Sequence, residues 1–189
     1  MKVLVVGCGG IGSYFAHHID KLISLKQIKD CRFTFFDDDI IEKKNMLYQN
    51  FETSDIDSFK TIALEEKYYN INFENKRVDL ADVCTTDLLI LCADNNMIRR
   101  IAWTNWETNK IPFLDARANG KCFGIYSNIT DNYMGTISSD NGSSSCQNPF
   151  QIAKLEIEYG NVIVAAMLAQ AFLNYHRKKE LISNLLINL

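Results

Sequence analysis

Val3-Leu4-Val5-Val6 is an unbroken apolar run ending in glycine, the pattern of a strand buried on both faces. Ile11, Tyr14, Phe15, His18, Ile19, Leu22 and Ile23 then recur at helical spacing, which predicts a helix from about Gly12. Residues 31–36 read as a second strand closed by Asp37-Asp38-Asp39, and 56–69 as a helix with Lys60 near its start. A weak third strand is predicted at 76–80. The run at 87–92 is a clear strand that stops at Ala93-Asp94-Asn95, and 96–109 reads as a helix. Three more β-like pieces follow at 112–116, 123–128 and 133–138, then a loop at 139–145 rich in Ser, Asn and Gly. A last helical region, 150–174, precedes the basic group His176-Arg177-Lys178-Lys179. Strands alternating with helices predict an α/β fold, with a mostly parallel sheet, helices on both faces and extra C-terminal strands.

At 189 residues the chain is expected to form one domain over 1–189. A 47% hydrophobic, 23% charged composition fits a globular protein, and the net charge of -3 argues against a general grip on nucleic acid. The longest apolar stretch, 162–173, is too short to span a bilayer and contains Gln170; a buried or dimer-forming helix is expected there. Six cysteines (Cys8, Cys31, Cys84, Cys92, Cys122 and Cys146) form no C-x-x-C pair, which argues against a zinc site or a secreted disulfide framework. A reduced, cytoplasmic protein is expected, with no membrane role.

The chemistry concentrates around two features. Gly7, Gly9 and Gly12 form G-x-G-x-x-G between a strand and a helix, the context of a Rossmann-type phosphate loop. There the first glycine permits the tight turn, the second admits phosphate and the third lets helix pack on strand. Asp37, the first acid after the second strand, is placed to accept ribose hydroxyls. These features alone do not separate NAD from FAD or ATP.

Further residues carry a family resemblance. Gly7-Cys8-Gly9-Gly10-Ile11-Gly12-Ser13, then Asp37 and Asp39, Asn45 and Gln49, Lys60, and Asp94-Asn95 with Arg99 follow in an order that resembles the ThiF/MoeB-type adenylyltransferases, prokaryotic relatives of ubiquitin-activating enzymes. The likeness covers roughly residues 1–125. It implies binding of ATP and Mg²⁺ and adenylation of a C-terminal carboxylate on a ubiquitin-like or sulfur-carrier protein, by a homodimer. By position, Asp37 would hold ribose, Asn45 and Lys60 phosphates, and Asp94 the metal. An attacking carboxylate and a polyphosphate repel each other, so cations at the site fit that chemistry.

The chain also departs from the pattern. Tyr48 stands where the family carries an arginine, and Met1 directly precedes the first strand where the family has a helical extension with another arginine. Arg99, Arg100 or Arg117 is expected to compensate. Cys146, in the serine-rich loop, is the candidate nucleophile; Cys122 follows Lys121; Cys8 and Cys92 read as structural. Paired zinc cysteines are absent, so no metal besides Mg²⁺ is expected. Two other readings explain part of the sequence: an NAD-dependent oxidoreductase or sensor, and a non-catalytic relative that binds nucleotide or a partner.

Overall fold

The computed structural model describes residues 1–137, 147 and 149–189. Strands β1 (Lys2–Val6), β2 (Arg32–Phe36), β3 (Asn72–Glu74), β4 (Leu88–Leu91), β5 (Phe113–Asn119), β6 (Cys122–Ser127) and β7 (Asn184–Asn188) form one sheet in the order β3-β2-β1-β4-β5-β6-β7. The first five run parallel, and β6 and β7 add antiparallel strands at one edge. The helices are α1 (Gly12–Ser24), α2 (Lys60–Glu65), α3 (Leu80–Cys84), α4 (Asn96–Asn109), α5 (Pro149–Lys154) and α6 (Gly160–Lys178).

β1 shows why its apolar run is continuous. Val3 and Val5 point into a core shared with Phe33, Phe35, α1 and α6, whereas Leu4 and Val6 point into a second core with Phe36, Leu89, Leu91 and Ile98 of α4. Side chains alternate across a strand, so a strand covered on both faces must be apolar at every position. On α6, Val164, Leu168 and Phe172 are fully buried at four-residue intervals, and Phe172 meets Phe33 edge-on at 5.0 Å. The 162–173 stretch is thus used within the chain, packed on α1, β5 and β6. Among the described residues no helix is long and apolar enough to cross a membrane.

Several predicted elements move. The third strand is Asn72–Glu74, paired to Thr34–Phe36, not 76–80; at those later positions Lys76 and Arg77 reach to Asp82 and Asp38, and Asp79 caps α3. The helix expected over 56–69 shrinks to Lys60–Glu65, because Asp57 has φ +69° and Phe59 bridges to Ile40 in extended form. The described part of 133–138 is a 3₁₀ turn, Tyr133–Thr136, following Asn132 at φ +51°. The region 150–174 is two helices, separated after Leu155 at φ +60°. Gly160 opens the second because a Cβ there would come within 2.1 Å of the Gly120 carbonyl.

Candidate active site

The carboxyl ends of β1, β2 and β4 converge at the glycine loop. Gly7 has φ +99°, and a Cβ there would lie 2.9 Å from the Ala93 nitrogen; one on Gly12 would lie 1.8 Å from the Gly7 carbonyl oxygen. Both glycines are therefore demanded by the chain itself. Gly9 differs, because its Cβ would meet only Gln49 Nε2, at 3.9 Å, so that side of the loop is open. Ser13 Oγ donates to the Gly9 carbonyl at 2.7 Å, and α1 begins without a side-chain cap, leaving N–H groups for an anion.

Asp37 braces this loop. One carboxylate oxygen accepts the Cys8 N–H at 2.6 Å and the other the Asp39 N–H at 2.9 Å. Burial raises its pKa despite the nearby Lys60 and these two N–H donors. Lys60 Nζ lies 2.5 Å from Asp39 Oδ2 and 3.8 Å from Asp37 Oδ1. Burial disfavours its ammonium, but the two carboxylates outweigh that and hold its pKa above the ordinary lysine value. Burial pushes the Cys8 thiol well up, in keeping with a structural cysteine.

Asn45 stands on a 3₁₀ turn, Lys43–Leu47, where its Oδ1 accepts the Glu42 N–H at 2.8 Å. Gln49 is buried, and its Oε1 has no hydrogen-bond partner among the described residues. Asp94 is half-buried, and its carboxylate has no hydrogen-bond or ion-pair partner among the described residues. Capping of α4 falls instead to Asn95, whose Oδ1 accepts the Met97 N–H at 2.7 Å. Gly7, Gly9, Gly10, Asp37, Asp39, Asn45, Gln49, Lys60 and Asp94 all line one cavity of about 1130 Å³. Tyr48 joins them; Gly12 lies behind the loop.

A second cavity, of about 510 Å³, opens on the other side of Cys92, Ala93 and Asp94 and extends to β5, β6 and β7. Arg99 lines this one and not the first. Its guanidinium is held at three points: Nε 3.2 Å from both Asp115 oxygens, Nη1 3.1 Å from Asn96 Oδ1 and Nη2 2.8 Å from the Ala93 carbonyl. Arg117 donates from Nε to Asp115 at 2.7 Å and lies 4.2 Å from the Tyr126 ring centroid, and Tyr133 Oη donates to Asp115 at 2.9 Å. Arg100 lines neither cavity. Cys122 faces the second cavity with Sγ 3.2 Å from Asn188 Oδ1, and Cys146 lies outside the described residues.

Sequence reasoning passed over Asp115, Tyr133, Asn161 and Gln147. Asn161 Nδ2 donates to the carbonyls of Gly10, at 2.9 Å, and Tyr48, at 2.7 Å, and so fastens the glycine loop to the neighbouring segment. Gln147 Nε2 supports it from behind at 3.2 Å. The signal for Asn161 was an uncharged polar residue at the start of an apolar helix. For Asp115 the signal was an acid inside the strand sequence Phe113-Leu-Asp-Ala-Arg117.

No curated protein sequence matches the chain. Solved structures do share its fold. The microcin C7 biosynthetic enzyme MccB in complex with N-formylated MccA aligns with a TM-score of 0.70 and 17% identity, over 95% of this chain and 58% of that one. E. coli MccB with ATP aligns with a TM-score of 0.65 and 19% identity, over 95% and 57%. PaaA aligns with a TM-score of 0.70 and 16% identity, over 100% and 60%. The chain therefore spans somewhat under two thirds of the length of these neighbours. The profile of the ThiF family matches residues 1–188, and with the glycine loop, Asp37, Lys60 and Asp94 gathered at one cavity, the chain belongs to that family.

Proposed function

We propose that the larger cavity binds ATP with Mg²⁺ and that a carboxylate entering through the smaller one is adenylated where the two meet. The observation that carries this reading is Asp94: a carboxylate with no partner among the described residues, on the boundary of both cavities. A half-buried carboxylate left uncompensated suits a cation that arrives with the substrate. Magnesium fits this donor set, since it is held by one or two carboxylates together with phosphate oxygens and water. When bound, Mg²⁺ neutralises phosphate charge. Asp94 would hold it, and the N–H groups at the start of α1 would receive the phosphates.

Asp37 keeps acceptor capacity for a ribose hydroxyl beyond its two loop bonds. Asn45 has its amide nitrogen to offer, and Lys60 its charge. In the step itself an oxygen of the incoming carboxylate bonds to the α-phosphorus, the bond to the β-phosphate bridge breaks and pyrophosphate leaves. Structural neighbours solved with ATP, and with AMPCPP together with MccA, support a site that takes a nucleotide and a second molecule. The acyl partner we propose is the C-terminus of a peptide or of a ubiquitin-like or sulfur-carrier protein, and the working unit a homodimer.

Pyrophosphate exchange into ATP, with candidate carboxylates supplied, tests the reaction. Exchange that needs both ATP-Mg²⁺ and a carboxylate is expected. Nucleotide binding with no exchange would instead favour the non-catalytic reading that Tyr48 motivates, and tight NAD binding with none of ATP would favour the oxidoreductase one.

A further inference from the structure

A triphosphate brought to the glycine loop needs cations that can turn toward it. Basic side chains line the larger cavity at Lys44, Lys60, Lys76 and Arg77. Lys60 is buried between Asp37 and Asp39. Past β3, Lys76 donates to Asp82 on α3 and Arg77 to Asp38, each at 2.7 Å. In the neighbouring cavity Arg99 and Arg117 share Asp115.

Lys44, like Arg77, sits in an exposed ion pair, but Lys44 is the one placed beside the glycine loop. It lies on the same turn as Asn45, and this segment runs through Tyr48 to Gln49, whose Nε2 is 3.9 Å from where a Gly9 Cβ would stand. The segment therefore overhangs the open side of the glycine loop. The Lys44 side chain is 55% exposed, and its ion-pair partner, 2.8 Å away, is Glu42, itself 61% exposed. Exposed pairs of this kind are held weakly, and a polyphosphate offers a stronger set of acceptors than one carboxylate. Lys44, Lys60 and Tyr48 all line this cavity, so two lysines approach the same region.

Resting on the nucleotide reading above, the geometry points to Lys44 as a phosphate-binding residue that leaves Glu42 to engage the β- and γ-phosphates of ATP, on the side where Tyr48 brings no charge. Calorimetry with ATP-Mg²⁺ and with AMP, on the native chain, Lys44→Met and Lys44→Arg, tests it. Lys44→Met keeps most of the side-chain stem and removes the charge at an exposed position, so the fold is expected to stand; thermal melting checks this. ATP should weaken about fivefold or more in Lys44→Met, the worth of one solvent-facing charge pair. AMP should change less than about twofold, and Lys44→Arg should bind ATP like the native chain. Native-like ATP affinity in Lys44→Met overturns the assignment, as does an equal loss for ATP and AMP. Absence of ATP binding by the native chain would overturn the nucleotide reading itself, and this assignment with it.

Discussion

Asp115 and Asp94 sit on adjacent parts of the sheet and meet opposite surroundings. Asp115 is fully buried in β5 and accepts from Arg99, Arg117 and Tyr133; Asp94, just past β4, accepts from none of the described residues. A carboxylate with no exposure must be compensated inside the protein, or the charge costs several kcal/mol. One with partial exposure can be left to water until a ligand replaces it. The first cluster therefore shapes the wall of the smaller cavity, whereas the second keeps its valence for something that enters. Arg99 belongs to the compensated cluster and Asp94 does not, although both line the smaller cavity.

Breaking the buried cluster should give the largest effect. Asp115→Ala leaves two guanidinium groups facing each other in the interior, and we expect a stability loss of about 3–5 kcal/mol in urea unfolding. A loss below about 1 kcal/mol would mean the arginines simply turn out to solvent. Asp94→Ala is the converse. It should lower pyrophosphate exchange by about a hundredfold or more while moving the melting temperature by no more than about 2 °C. A large drop in melting temperature with exchange intact would make Asp94 a structural residue like Asp115.

The glycines repeat the contrast within one loop. Gly9→Val should spare the fold, since space surrounds that Cβ, yet weaken ATP about tenfold by filling the phosphate approach. Gly12→Ala should damage the fold itself, because its Cβ collides with the Gly7 carbonyl. Equal melting temperatures for the two variants would show the loop to be more pliable than its contacts imply.

What the sequence revealed divides along similar lines. The glycine loop, β1, β2, β4, α4 and Asp37 were legible in local pattern, and Asn45, Gln49, Lys60 and Asp94 through the family resemblance; these five side chains line the larger cavity. β7 was missed: Asn184-Leu-Leu-Ile-Asn188 is a short run after a long helix, and only pairing with β6 gives it a place. Tyr133 read as a strand residue because it opens the β-like run 133–138. Its actual setting, stacked on Trp103 at 5.5 Å and bonded to Asp115, is a matter of tertiary packing. Arg99 looked like a phosphate cation since its partner, Asp115, lies a full helix later in sequence.

The smallest effect, and the finest probe of the buried cluster, is the tyrosine. Burial and the Asp115 carboxylate raise the Tyr133 pKa far above its ordinary 10.0. Below pH 10 the phenol is neutral in both folded and unfolded chains, so its titration contributes nothing to stability. As pH rises above 10 the unfolded chain releases this proton and the folded chain does not, which costs the native protein about 1.4 kcal/mol per pH unit from this group. Tyr14, Tyr68 and Tyr175 are also raised, chiefly by burial, and add to the same alkaline limb in both proteins. Tyr133→Phe should cost about 1–2 kcal/mol at pH 7 through the lost hydrogen bond to a charged group. That deficit should shrink as pH climbs past 10, because the variant has one fewer proton to lose on unfolding. Stability curves that stay parallel from pH 7 to 11 would show that Tyr133 ionises in the folded chain, and that the Asp115 cluster is open to water after all.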